Sequence, residues 1–113
     1  MQLEMKKKGN LLIVKVNGEL DHHSSDSIRR KVDQELMSVS IKHGVFDFSE
    51  LSFMDSSGIG MLVGRYRIVQ QLGGRMWVVC GESHISRILE MAGIYRLIPK
   101  ATSVDEVIKE LFK

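Results

Sequence analysis

Short, wholly apolar segments alternate along this chain with longer segments whose apolar residues recur every three or four positions. Val45, Phe46 and Phe48 read as a buried strand, and so does Met76-Trp77-Val78-Val79-Cys80. Between and around them lie stretches of helical period. Ile28, Val32, Leu36 and Val39 mark a first helix, entered through Ser24 or Ser25. Ile59, Leu62, Val63, Tyr66 and Val69 mark a second, which starts near Ser57 and is ended by Gly73-Gly74. Ile85, Ile88, Leu89 and Ala92 mark a third, stopped by Gly93. Val104, Val107, Ile108 and Leu111 mark a fourth, and Ser103 with Glu106 forms a capping box at its start. Strands separated by helices require crossover connections, so the fold class is α/β: a mixed, mostly parallel sheet with about four helices. Leu62, Val63, Tyr66, Trp77, Val78 and Leu89 are expected in its core.

The N-terminal part differs. Gln2 to Lys7 and Leu11 to Glu19 flank Lys8-Gly9-Asn10, which suggests a hairpin. Ser49 to Ser57 reads as a loop with a hydrophobic middle at Leu51 and Phe53. Pro99 is the only proline, and no linker, repeat or low-complexity tract divides the 113 residues, so residues 1–113 are expected to form one domain.

Charge and cysteine content exclude several functions. Lys and Arg number 16 against 14 Asp and Glu, a net charge of +2 that is too small for a dedicated binder of nucleic acid or acidic membrane. The single cysteine, Cys80, allows no intramolecular disulfide, and a reducing cytoplasmic setting is expected. Lys15 interrupts the apolar run Leu11 to Val14 before a signal-peptide core is complete, and no stretch approaches the roughly 18 apolar residues of a membrane span.

Phe53-Met54-Asp55-Ser56-Ser57-Gly58-Ile59-Gly60 is the most informative stretch, because two hydroxyls stand where a loop enters a helix. Ser and Asp are favoured helix caps, which gives one account of it. The other is a hydroxyl that carries a phosphate, favoured by the positive end of the helix dipole. Gly58, Gly60 and Gly64 imitate a dinucleotide fingerprint with Glu82 as its acidic partner, but the nine residues from Ser49 to Ser57 separate them from the preceding strand. Gly60 and Gly64 are instead expected to let the helix approach its neighbours closely. No Gly-x-Ser-x-Gly elbow surrounds Ser56 or Ser57, which sets a serine hydrolase aside. His22-His23, His43, His84 and Cys80 show no convergent metal-ligand spacing, and the histidines read as solvated or capping groups. Asp21 is a turn residue or helix cap on local grounds, yet loops after neighbouring parallel strands gather at one end of a sheet, so Asp21 and Ser57 can meet there.

Gly18-Glu19-Leu20-Asp21-His22-His23 together with Leu51 to Gly60, continuing through Gly64-Arg65-Tyr66 to Gly73-Gly74, resembles the STAS-domain anti-sigma factor antagonists, and within them the sporulation branch of spore-forming bacteria. The resemblance runs over essentially the whole chain; Trp77, Cys80 and the short tail after Phe112 depart from the family pattern outside its motif. It implies a non-enzymatic regulator of transcription without a cofactor. It implies that Ser57 is phosphorylated by an ATP-dependent anti-sigma factor serine kinase, that the unphosphorylated form binds this kinase and frees a sigma factor, and that a serine phosphatase resets the switch. Asp21, Asp55, Ser56 and Gly58 would form the switch surface around Ser57. Two other classes fit the alternation of elements: a receiver domain phosphorylated on Asp47 or Asp55, although the acidic pair expected after its first strand is missing, and a small nucleotide-binding enzyme.

Overall fold

The computed structural model describes residues 2–113; Met1, the first residue of the expected 1–113 domain, lies outside the described residues. The elements are β1 (Gln2–Lys8), β2 (Leu11–Leu20), α1 (His22–Leu36), β3 (His43–Asp47), β4 (Leu51–Met54), α2 (Ser56–Gln71), β5 (Met76–Val79), α3 (His84–Met91), a 3-10 turn (Ile94–Arg96), β6 (Lys100–Ala101) and α4 (Val104–Leu111). The sheet runs β1-β2-β3-β5-β6. Strands β1 and β2 form the expected antiparallel hairpin, with Lys8 opposite Leu11 and Gly9 at φ 57° in the turn. All other strand pairs are parallel, as crossover helices require.

Ten residues long, β2 serves two partners in succession. Its first half, Leu11 to Lys15, lies beside β3, and its last residues lie beside β4 with Leu20 opposite Met54. The register shifts between Gly18 and Glu19, and Gly18 has φ 89°, a conformation that residues with a side chain rarely adopt. That glycine lets one strand turn from one neighbour to the next, and the turn places the end of β2 against the end of β4.

The expected loop from Ser49 to Ser57 therefore contains a strand. Leu51 and Met54 are buried while Ser52 and Phe53 are exposed, a pattern without the alternation of a strand, which is why periodicity missed it. The first helix also begins earlier than expected: Asp21 is its N-cap, and Ser24 closes a capping box from the third helical position. Val39 lies beyond its end and is fully exposed. At α4, Ser103 Oγ accepts the Glu106 N–H at 3.0 Å as expected, but the Glu106 carboxylate accepts from the Thr102 hydroxyl, so half the box is used differently.

Successive strand residues point to opposite faces, and each face has its own core. Phe46, Val78, Leu62 and Leu89 belong to the larger one, covered by α1, α2 and α3; Val45, Trp77, Val79 and Val107 belong to the smaller one under α4. Of the expected core residues, Leu62, Trp77, Val78 and Leu89 are buried, whereas Val63 and Tyr66 flank the buried stripe and are half-buried. Arg65 occupies the stripe instead, its Nε 2.7 Å from Asp33 Oδ1 on α1. Burial pushes this guanidinium's pKa down, against the opposing pull of the Asp33 carboxylate. The pair ties together the two helices that begin beside each other.

Candidate functional site

The parallel register between β2 and β4 sets two helix starts side by side. Each strand ends in an aspartate that caps the following helix: Asp21 after Leu20 and Asp55 after Met54, with nearly equal backbone angles (φ −109°, ψ −172° and φ −116°, ψ −172°). The Asp55 N–H donates to the Leu20 carbonyl at 3.3 Å, which locks the starts together.

At the α1 start the Asp21 carboxylate and the Ser24 and Ser25 hydroxyls are all engaged. Asp21 Oδ1 accepts the Ser24 N–H at 3.0 Å, and Ser24 Oγ accepts the Asp21 N–H at 3.0 Å. The Ser24 hydroxyl also lies 3.0 Å from the Glu19 carbonyl, and the Ser25 hydroxyl donates to the Asp21 carbonyl at 2.7 Å. Hydrogen bonding holds the Asp21 carboxyl below its ordinary range, led by the Ser24 N–H and opposed by burial, with the Ser24 hydroxyl and His23 adding to the lowering.

The α2 start is open. Asp55 Oδ1 accepts the N–H groups of Ser57 at 2.9 Å and Gly58 at 3.4 Å, but no side chain at the third helical position returns the bond. That position is Gly58, and a Cβ there would lie 2.9 Å from Leu20 Cγ and 3.0 Å from Met54 Cγ. Ser56 is exposed and Ser57 half-buried. The Ser57 hydroxyl bonds to no backbone carbonyl of its own helix; its partner is His22 Nδ1, 3.4 Å away at the start of α1.

Asp21, Asp55, Ser56 and Ser57 are thus brought to one end of the sheet. Gly58 is buried beneath them, so it shapes this surface through close packing and does not present itself to a partner. The close approach expected of Gly60 and Gly64 belongs to Gly58, since a Cβ at either of the former would meet nothing within 4 Å.

The α1 residue that reaches Ser57 is His22, which the sequence reading set aside with His23 as solvated or capping. No local pattern marks it, because the contact arises from the register that sets the ends of β2 and β4 side by side. Other histidines have structural partners. His43 Nδ1 accepts the Arg75 N–H at 2.9 Å, with burial pushing its pKa down, and His84 Nε2 lies 2.8 Å from the Ser52 carbonyl. Cys80 is buried, its Sγ 3.7 Å from Ser83 Oγ. Asp47, the receiver candidate, accepts the Ser49 N–H at 3.0 Å in the turn after β3. Among the described residues no group of three or more His, Cys, Asp or Glu could hold a metal ion, and no helix is long and apolar enough to cross a membrane.

Residues 2–107 match the STAS domain model. The chain is 39% identical over 99 residues to an anti-sigma F factor antagonist of Paenibacillus polymyxa, covering 88% of this chain and 85% of the relative. Its fold superposes on the anti-sigma factor antagonist SpoIIAA in its unphosphorylated form with a TM-score of 0.86 at 25% identity, covering 97% and 96% of the two chains. On the Bacillus cell fate determinant SpoIIAA in the phosphorylated form the TM-score is 0.78 at 25% identity, covering 97% and 99%. The chain belongs to the STAS-domain family, among its anti-sigma factor antagonists. As an anti-sigma factor antagonist it is a non-enzymatic regulator, and the receiver and nucleotide-enzyme readings give way to this one.

Proposed function

We propose that Ser57 is the switch of this antagonist. An anti-sigma factor that is also a serine kinase binds the unphosphorylated chain, releases its sigma factor, and transfers the γ-phosphoryl group of ATP to Ser57 Oγ with release of ADP and the hydroxyl proton. A serine phosphatase hydrolyses the ester and restores the binding form. Asp21, Asp55 and Ser56 border the contact surface. The observation that carries this reading is the contrast between helix starts, which leaves the Ser57 hydroxyl free of its own helix beside a second helix start. Support also comes from SpoIIAA, solved in both phosphorylation states with a fold like this one.

Charge at the interface, not unfolding, accounts for the switch. The phosphate adds about −1.5 to −2 charge. A partner carboxylate about 6 Å away would contribute roughly 0.7–3 kcal/mol of repulsion per unit charge at dielectrics between water and protein surface. A dianion thus weakens binding from roughly tenfold to several-thousandfold. The test is incubation with the cognate kinase and ATP, followed by intact mass, peptide mapping and calorimetry. Ser57→Ala should bind and stay unphosphorylated, while Ser57→Asp should bind poorly. Phosphate found on Ser56, or equal affinities of the two forms, would overturn the reading.

A further inference from the structure

An ester phosphate at Ser57 needs counter-charge, and the neighbouring helix start has little to spare. The N–H groups of Ser57 and Gly58, natural anion ligands at a helix N-terminus, are already turned to Asp55 Oδ1. Asp21 and Asp55 add negative charge to the same end of the sheet. The side chain that already touches the acceptor oxygen is His22, with Nδ1 3.4 Å from Ser57 Oγ. His22 is exposed, so its ring is free to turn toward a group larger than a hydroxyl.

Building on the assignment of Ser57 as the phosphorylated residue, we propose that His22 is the phosphate-binding side chain of the switch: its imidazole holds the Ser57 hydroxyl in the binding form, and its imidazolium pairs with the phosphate in the released form. The other charges near the ring are held mainly by other partners. On α1, Asp26 lies one turn from His22 and interacts with its charge, but it pairs more closely with Arg29 at 2.6 Å and Arg30 at 3.6 Å, and Asp21 faces Ser24. From the α2 start Asp55 faces its own helix, and the His23 ring stands edge-on with its centroid 6.0 Å away. An imidazole and a phosphate monoester titrate in the same range, so each stabilises the charged form of the other and the coupling must appear equally at both.

The experiment uses the full chain with phosphoserine installed at position 57 during translation. Phosphorus NMR follows the phosphate, and proton–nitrogen NMR follows the imidazole rings, between about pH 5 and 8. In the wild type the dianion should form about 0.5–1 pH unit lower than in His22→Gln, and the His22 ring should titrate higher by a similar amount than in the unphosphorylated protein. His22→Lys should keep the low phosphate midpoint because it keeps a cation, and His23→Gln should leave it unchanged. Equal phosphate midpoints in wild type and His22→Gln, or a shift removed by His23→Gln instead, would overturn the proposal. The wild-type ring titration decides it without any variant. Because no kinase is used, a kinase that leaves Ser57 unmodified would refute the assignment of Ser57 and leave this measurement standing.

Discussion

The starts of α1 and α2 are built on the same plan and used in opposite ways. Both follow parallel strands in register, and both are capped by an aspartate of nearly identical backbone conformation. Three residues after Asp21 stands Ser24, whose hydroxyl closes the box; three residues after Asp55 stands Gly58, which has no side chain to do so. A closed box fixes a helix end, whereas an open one leaves hydroxyls whose chemistry is not consumed by the backbone. A single residue type at the third helical position therefore separates the closed start from the open one. Packing explains why it is glycine, since Leu20 and Met54 fill the space that a Cβ would need.

The largest expected effect comes from loosening the helix that carries the open start. Leu62 is fully buried in the second turn of α2, and Leu62→Ala should lower stability by ~2–5 kcal/mol through lost transfer energy and a cavity. Urea unfolding measures it, and a change below about 0.5 kcal/mol, typical of surface positions, would remove Leu62 from the anchor.

Gly58→Ser gives the open start the same N-cap and third-position residues as the closed one. Overpacking against Leu20 and Met54 costs roughly 1–3 kcal/mol, while serine regains about 0.5 kcal/mol of helix propensity over glycine. The expected net loss is about 0.5–2.5 kcal/mol in chemical denaturation. A gain in stability would mean that packing does not demand the glycine. Asp55→Ala should cost about 1 kcal/mol, the ordinary worth of an N-cap, and Asp55→Asn should be nearly neutral because asparagine caps as well. Equal losses in both variants would mean that the charge of Asp55, and not its acceptor oxygen, holds the helix end.

The sequence carried the fold further than the site. Helical periods and wholly apolar strands each reflect burial that one segment imposes on its own residues, so the alternation of elements and most of the core were legible. Strand β4 was not, because four residues that rest on the tail of β2 acquire their burial from a partner more than thirty residues away. Capping chemistry was legible as residue types but not as assignments: Asp21, Ser24 and Ser25 are all good caps, and only the end of β2 decides which is used. The contact between His22 and Ser57 depends on the Gly18 bulge and the register it sets, which no local pattern encodes. Ser57 itself was reached through the resemblance, since composition alone left capping and phosphate readings both open.

The smallest expected effect on stability belongs to Asp21→Asn, and it separates the carboxylate's two possible duties at the closed start. Asparagine accepts the Ser24 N–H as well as aspartate does, so the cap survives and the thermal midpoint near neutral pH should hardly move. What is lost is the charge. In the folded protein the Asp21 carboxyl titrates below its ordinary value of 3.8, first because of the Ser24 N–H, so over that acidic interval the unfolded chain binds the proton more tightly. The contribution is therefore complete above the ordinary carboxylate range and fades as pH falls through the lower, folded value. Asp26, lowered chiefly by its hydrogen bond to Arg29, contributes with the same sign in both proteins and cancels in their difference. Stability of wild type minus Asp21→Asn should then be constant above about pH 5 and shrink below it. A difference that stays flat into acid would show that the charge plays no part in the cap. If Asp21 also borders the surface around Ser57, the same variant should weaken kinase binding or phosphorylation at neutral pH, where its stability is unaltered. Unchanged binding and phosphorylation would confine Asp21 to holding α1, and leave His22 as the residue through which the closed start acts on the open one.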